Sequence, residues 1–285
     1  MLLPFALLLL AIPKVFALSR TTPPAGALVV RQTGATAGEF TTVSAALASL
    51  TGTAPATIFI FPGTYNDTGT YKENTVTITH NLNAQDNGGN DACATVRATS
   101  AAPLLRIYNI NIVNSFGQGK QATALSATGN MQGFYGCQIT GYQDTLLADG
   151  GGGIAFHNCY IEGAVDYIYG SASAWFGECT IASNGGGAIT ANSRNSATDP
   201  TYYVIDSSTI TSGTTASLNS VLPNLINPIG YTTLAANATP IFSEFDNTGA
   251  GASTAKRVTY TPISAAITHA QVLGASYDSW IDNTF

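Results

Sequence analysis

Residues 136–181 read GCQITGYQDTLLADGGGGIAFHNCYIEGAVDYIYGSASAWFGECTI, and inside this stretch one short strand is written three times: Cys137-Gln138-Ile139, Cys159-Tyr160-Ile161 and Cys179-Thr180-Ile181. The spacings are 22 and 20 residues. A fixed period in this range marks a stacked architecture, in which each unit buries its apolar face only against the next. Ile110-Asn111-Ile112 before the stretch and Ser208-Thr209-Ile210 after it carry the same alternation. Leucine-rich repeats have similar periods, but their leucine pattern and asparagine ladder are absent. The predicted fold is therefore all-β, a parallel β-helix whose equivalent residues stack about 4.8 Å apart.

Working outward, Phe40-Thr41-Thr42-Val43 leads into Ala46, Leu47 and Leu50, a helical spacing behind a Thr cap that predicts a short N-terminal capping helix. Ile263, Ile267 and Val272 to Gly274 predict a second helical turn or two, covering the far end of the core. Leu2 to Ile12 is apolar over signal-peptide length, and Val15, Phe16 and Ala17 offer a small-residue cleavage site. The expected division is thus 1–17 as signal peptide and 18–285 as a single domain, secreted and extracellular, with no later span fit to cross a membrane. Asn66-Asp67-Thr68 and Asn237-Ala238-Thr239 are glycan acceptor sequons.

Composition agrees. Only 9% of residues are charged against 45% hydrophobic, with 29 glycines, a mixture for strands and turns rather than amphipathic helices. A formal net charge of −6 excludes a nucleic-acid partner, since phosphate binding needs a basic face. Cys137, Cys159 and Cys179 share one coil position and read as an inward stack of small apolar side chains, with disulfides the alternative and Cys93 undecided. No CxxC pairing or Cys/His spacing fits a zinc site. His80, His157 and His269 stand singly and fit turns or surface.

Polar residues follow the same ruler. Asp144 lies seven positions after Cys137 and Asp166 seven after Cys159, while Gln121 and Gln143 are also 22 apart. Two carboxylates about 5 Å apart in an effective dielectric near 20 repel by about 3 kcal/mol, or about two pKa units. One then ionises while the other keeps its proton, the split that acid and nucleophile roles require. Nearby amide donors suit a tetrahedral oxyanion. A structural ladder of turn-capping Asp and Gln explains the same spacing without chemistry.

Specific strings favour chemistry. Gln121-Ala122-Thr123-Ala124-Leu125, Gly133-Phe134-Tyr135-Gly136-Cys137, Gln143-Asp144-Thr145-Leu146 and Asp166-Tyr167-Ile168-Tyr169-Gly170 occur in order, and the chain resembles the pectin methylesterases, the fungal branch most closely. The last string is the family's DFIFG with Tyr for both Phe. Flanking likeness runs from Phe40 through Asn247-Thr248-Gly249-Ala250-Gly251-Ala252 to Trp280. The resemblance implies a single-stranded right-handed, pectin lyase-like β-helix that removes methyl esters from the galacturonate units of pectin. It implies Asp166 as nucleophile, Asp144 as proton donor and acceptor, Gln121 and Gln143 in the oxyanion pocket, and Tyr169 and Trp175 against the sugar chain. Pectin is the implied partner, neither a metal nor an organic cofactor is implied, and a monomer is expected.

Two departures stand out. The family's LGRPW motif, whose Arg holds the nucleophile ionised, has no counterpart between Ile210 and Asn227, and a strand's worth of sequence is missing between Asn66 and Tyr71. Arg194 occupies the family's ITANGR-like position and reads as structural. Removing one member of a buried charge pair costs about 3 to 5 kcal/mol, so weak or absent esterase activity is expected, by a few thousandfold. The competing class is a non-catalytic polysaccharide-binding homologue. Polygalacturonase and pectate lyase chemistry lack their acidic, His and calcium motifs, and no GxSxG string supports a serine hydrolase.

Overall fold

A computed structural model describes residues 22–31, 34–41, 45–46, 49, 57–61, 71–74, 76–101, 103–150, 152–194, 196, 198–212, 226–233, 241–283 and 285. The expected signal segment, both sequons and both sites of missing sequence lie outside the described residues.

The repeat becomes a coil of three short strands. An entry layer holds β1 (Leu28–Arg31), β2 (Ile58–Phe61) and β3 (Thr77–His80). Successive coils follow as β4 (Val96–Ala98), β5 (Arg106–Tyr108) and β6 (Asn111–Asn114); β7 (Leu125–Ala127), β8 (Gln132–Tyr135) and β9 (Gln138–Thr140); β10 (Leu146–Ala148), β11 (Gly153–His157) and β12 (Tyr160–Gly163). The last two are β13 (Ile168–Gly170), β14 (Ser173–Gly177) and β15 (Thr180–Ser183), then β16 (Thr190–Asn192), β17 (Tyr203–Asp206) and β18 (Thr209–Ser212). Like strands of successive coils pair in parallel. The first sheet runs β4-β7-β10-β13-β16, the second β5-β8-β11-β14-β17 and the third β3-β6-β9-β12-β15-β18. The chain is a parallel β-helix.

The Cys-x-Ile signature falls on the third sheet, where Ile112, Ile139, Ile161, Ile181 and Ile210 stand in register. Cys137, Cys159 and Cys179 sit at the corner just before those strands, buried and free, as the packing reading expects, and Cys93 is free and buried too. Opposite them, Phe134, Phe156 and Phe176 stack face to face at 5.0 and 4.9 Å, all fully buried. Each buried phenyl contributes about 2 to 3 kcal/mol from apolar area, and each stacked contact about 1 kcal/mol more.

The corner between the second and third sheets repeats as a single left-handed residue per coil. Asn109, Gly136, Asn158, Glu178 and Ser207 have φ between 48° and 57°. The amide of each of the first four bonds the next coil's carbonyl, as Gly136 N does His157 O at 2.9 Å. Asn109, Gly136 and Asn158 are of the types that enter this region most cheaply, while Glu178 and Ser207 adopt it at the last two corners.

One expectation changes, at the C-terminal end. Of the expected N-terminal helix Ala45, Ala46 and Ser49 are described; Ala45 and Ala46 are helical, and Ala46 packs fully buried with Val30 and Ile58. The remainder lies outside the described residues. At the C-terminus, helix α2 (His269–Leu273) forms behind a Thr268/Gln271 capping box, yet it does not close the end of the coil stack. It lies on the outer side of β11 and β14, where Val272, Leu273 and Trp280 bury Ala155 and Trp175. Ile263 and Ile267 lie outside that helix. The tail is fastened by Arg106 Nε to Trp280 O at 2.8 Å and by Tyr108 OH to Asp282 Oδ2 at 2.9 Å. Among the described residues no helix is long and apolar enough to cross a membrane.

Candidate active site

Residues entering the first sheet sit at a corner whose geometry repeats. Asp144 and Asp166 each stand two positions before their strands, β10 and β13, which pair Leu146 with Ile168. Both adopt left-handed backbone, φ 59° and 48°. The Asp144 amide donates to Val165 O at 3.0 Å and the Asp166 amide to Ala188 O at 2.8 Å. A left-handed Asp swings its side chain away from the inward row of Leu125, Leu146 and Ile168 and onto the outer side of the corner. The two acids are thus vertical neighbours one coil apart, as the 22-residue spacing predicts.

Their surroundings differ. Asp144 is 4% exposed, and its Oδ2 accepts two amide donors, Asn90 Nδ2 at 2.8 Å and Gln121 Nε2 at 3.0 Å. Burial pushes its carboxyl up to about 6; the two amides oppose that rise, and the Asp166 charge adds to it. Asp166 is half-buried, and burial raises its carboxyl too. Both carboxyls are therefore raised, with desolvation the largest cause in each; the neighbouring charge is a smaller cause at Asp144. Among the described residues no cation pairs with either acid. Arg194 instead reaches Thr201 O at 3.4 Å and lies over the Tyr202 ring.

Gln121 is at the site, held through Asp144 and through Gln85 Nε2 at 3.1 Å. Gln143 is half-buried beside it; its carbonyl accepts the Ala122 amide and it bridges to Val165. Tyr169 projects outward from β13 and leans back across β10, so that its hydroxyl meets Thr123 Oγ1 at 2.8 Å, close to the Asp144 charge. The structure does not bring Trp175 here. It lies on β14 in the second sheet, 5% exposed, beneath α2 with the His269 ring stacked on it at 3.8 Å. Alternation along Ala174-Trp175-Phe176 turns Trp175 outward, and α2 then covers it, leaving no face for a sugar.

Residues 83–93 are what the coil ruler misses. This strap contains helix α1 (Ala84–Asn87), capped by Asn83 and stopped by left-handed Gly88. It crosses the acid corner and is tied at several points. Ala84 N donates to Gln121 O at 2.8 Å, Lys120 Nζ pairs with Asp86 at 2.7 Å, Arg97 pairs with Asp91, and Cys93 Sγ donates to Asn90 O at 3.2 Å while accepting the Thr123 amide. It delivers Asn90 to Asp144. The strap lies outside the repeat, so the only local signal is its Asn83-to-Asp86 cap and the Gly88-Gly89 pair. Among the described residues no group of His, Cys, Asp and Glu is arranged to hold a metal ion.

An acid already disposed to be protonated, a more exposed carboxylate on the next coil and amide donors on the first acid can perform acyl transfer by a covalent route. Comparison with known proteins points the same way. A family model described as Pectinesterase matches residues 27–217. Pectinesterase A of Emericella nidulans is 44% identical over 303 aligned positions, covering 93% of this chain and 91% of the relative. A crystal structure of the pectin methylesterase from Aspergillus niger in deglycosylated form superposes with a TM-score of 0.84 at 41% identity, covering 94% of this chain and all of that one. Pectin methylesterase from carrot gives a TM-score of 0.73 at 25% identity, covering 90% and 96%. The alignment of 303 positions exceeds the 285 residues of this chain, so the Emericella protein carries segments that this one lacks.

Proposed function

Because the chain belongs to the pectinesterase family, we propose that it hydrolyses the methyl esters of galacturonate units in pectin, releasing methanol, with Asp166 and Asp144 as the working pair. One observation carries the residue assignment: two aspartates at matched left-handed positions on successive coils, of which the more buried one has its carboxyl raised to about 6.

In the first half-reaction the Asp166 carboxylate attacks the ester carbonyl and a tetrahedral oxyanion forms. Gln121 and Gln143 supply amide donors to that oxygen. Collapse breaks the bond to methoxide, which leaves as methanol with the proton of Asp144, and an anhydride joins the sugar's C6 to Asp166. Asp144, now ionised, takes a proton from water, and the resulting hydroxide attacks the anhydride. The acid product departs and loses its proton to solvent as galacturonate, Asp166 is again a carboxylate and Asp144 again holds its proton. Asp166 has the greater exposure, which suits the group that must reach the substrate. Tyr169, pinned by Thr123, presents the aromatic wall beside the acids.

Residues 1–17 act as an export signal and 18–285 as the secreted domain, a monomer. This reading rests on the apolar Leu2 to Ile12 run and on the deglycosylated form of the Aspergillus niger enzyme, whose glycan is a mark of the export route. Asn66 and Asn237 are the acceptors here. The test is methanol release from highly methylated pectin by the parent, Asp166→Asn and Asp144→Asn. The parent turns over, a few thousandfold below a family member that keeps the Arg, and Asp166→Asn abolishes what remains. Pectin binding without any methanol would support the polysaccharide-binding class instead, and unchanged turnover in Asp166→Asn would remove the nucleophile assignment.

A further inference from the structure

Resting on the esterase reading, we propose that Asn90 is a positioning residue: with Gln121 it clamps Oδ2 of Asp144 as the carbonyl oxygen and so leaves the transferable proton on Oδ1. The argument is one of lone pairs. A protonated carboxyl has one hydroxyl oxygen and one carbonyl oxygen, and the carbonyl oxygen is the better acceptor, with two lone pairs. Both amide donors, at 2.8 and 3.0 Å, fall on the same oxygen. They select which oxygen is the carbonyl, and an acid whose proton sits on a defined oxygen can deliver it to methoxide without first rotating.

The clamp is itself held. Asn90 has its backbone carbonyl fixed by the buried Cys93 thiol at 3.2 Å, and the strap that carries it is anchored to the Gln121 carbonyl through Ala84. Asn83, 4% exposed, caps the strap's helical turn, and Asn114 Nδ2 holds the preceding Leu82 carbonyl at 2.9 Å. Titratable groups facing Asp144 are Asp166 from the next coil and Tyr169 from β13, with Cys93 of the strap beside Tyr169. The Lys120–Asp86 and Arg97–Asp91 pairs lie at the strap's edges.

The full-length enzyme tests this through its pH profile. Asn90→Ala removes a donor that favours the ionised carboxyl, so the alkaline limb of kcat/KM moves up by about one pH unit, the scale of one hydrogen bond to a carboxylate. Asn90→Asp, of equal size and therefore least disturbing to the fold, moves it further. Asn90→Gln, which keeps the donor, returns the limb toward the parent. In an Asp166→Asn background, the carbon-13 signal of the Asp144 carboxyl titrates at a correspondingly higher pH when Asn90 is replaced. Activity lowered equally at every pH with the limb in place, or an Asp144 titration unmoved by both substitutions, overturns the clamp. A parent that releases no methanol sinks the esterase reading instead, and the carbon-13 titration then judges the clamp alone.

Discussion

Replacing Asp144 with Asn should make the protein more stable at neutral pH while destroying its chemistry. A carboxyl raised from the ordinary value of 3.8 to about 6 is favoured in its protonated form by the folded chain. Stability from such a group is fully present below pH 3.8 and is lost as pH rises through about 6, because ionisation is then opposed in the folded state and free in the unfolded one. Two units correspond to at most about 3 kcal/mol. The carboxyl is 4% exposed but has one side open to approaching substrate, and two amides already favour its anion, so about 1 to 2 kcal/mol is the realistic gain. Asn keeps an oxygen for those amides and carries no charge. For a domain of this size that predicts a melting temperature roughly 2 to 6 °C above the parent at pH 7.5, and no difference at pH 3.5. Thermal melts followed by circular dichroism at the two pH values measure it. A variant equal to or less stable than the parent at pH 7.5 refutes the burial of an unfavourable charge, and with it the assignment of Asp144 as the proton carrier.

Methanol release by the parent should fall about tenfold per pH unit above about 6, as Asp144 loses the proton it must deliver, and a profile flat to pH 8 contradicts that. Phe156→Ala opens the middle of the Phe134–Phe156–Phe176 stack and should cost about 3 to 5 kcal/mol in urea unfolding. Gly163→Ala places a methyl against Tyr167 Cβ and 2.7 Å from Thr145 Oγ1, atoms tied to backbone beside both acids. It should lower both melting temperature and turnover, and a silent substitution would show that the coils are spaced more loosely than described. Thiol titration in denaturant without reductant should count four reactive cysteines per chain; fewer would reveal a disulfide and overturn the packing reading of the Cys137, Cys159 and Cys179 stack.

The coil period and its consequences were legible in the residues themselves. A parallel stack translates sequence spacing into vertical neighbourhood, because equivalent strands pair without reversal, so 22 residues from Asp144 to Asp166 means one coil whatever the intervening turns do. The same ruler placed Cys137 beneath Cys159 and Ile139 beneath Ile161. It had no reach over segments that leave the coil. Asn90 arrives on a strap whose path is chosen by caps and by contacts with Gln121, Thr123 and Arg97, none of which repeats. Trp175 reads as an aromatic ready for sugar, yet β-alternation turns it to the outer side of the second sheet, where α2 covers it from about a hundred residues away in sequence. Which acid is buried more deeply was likewise decided by the strap and the lean of Tyr169. Periodicity governs what lies one coil away, whereas desolvation depends on every group that folds over a site, and those groups come from parts of the chain that share no period with it.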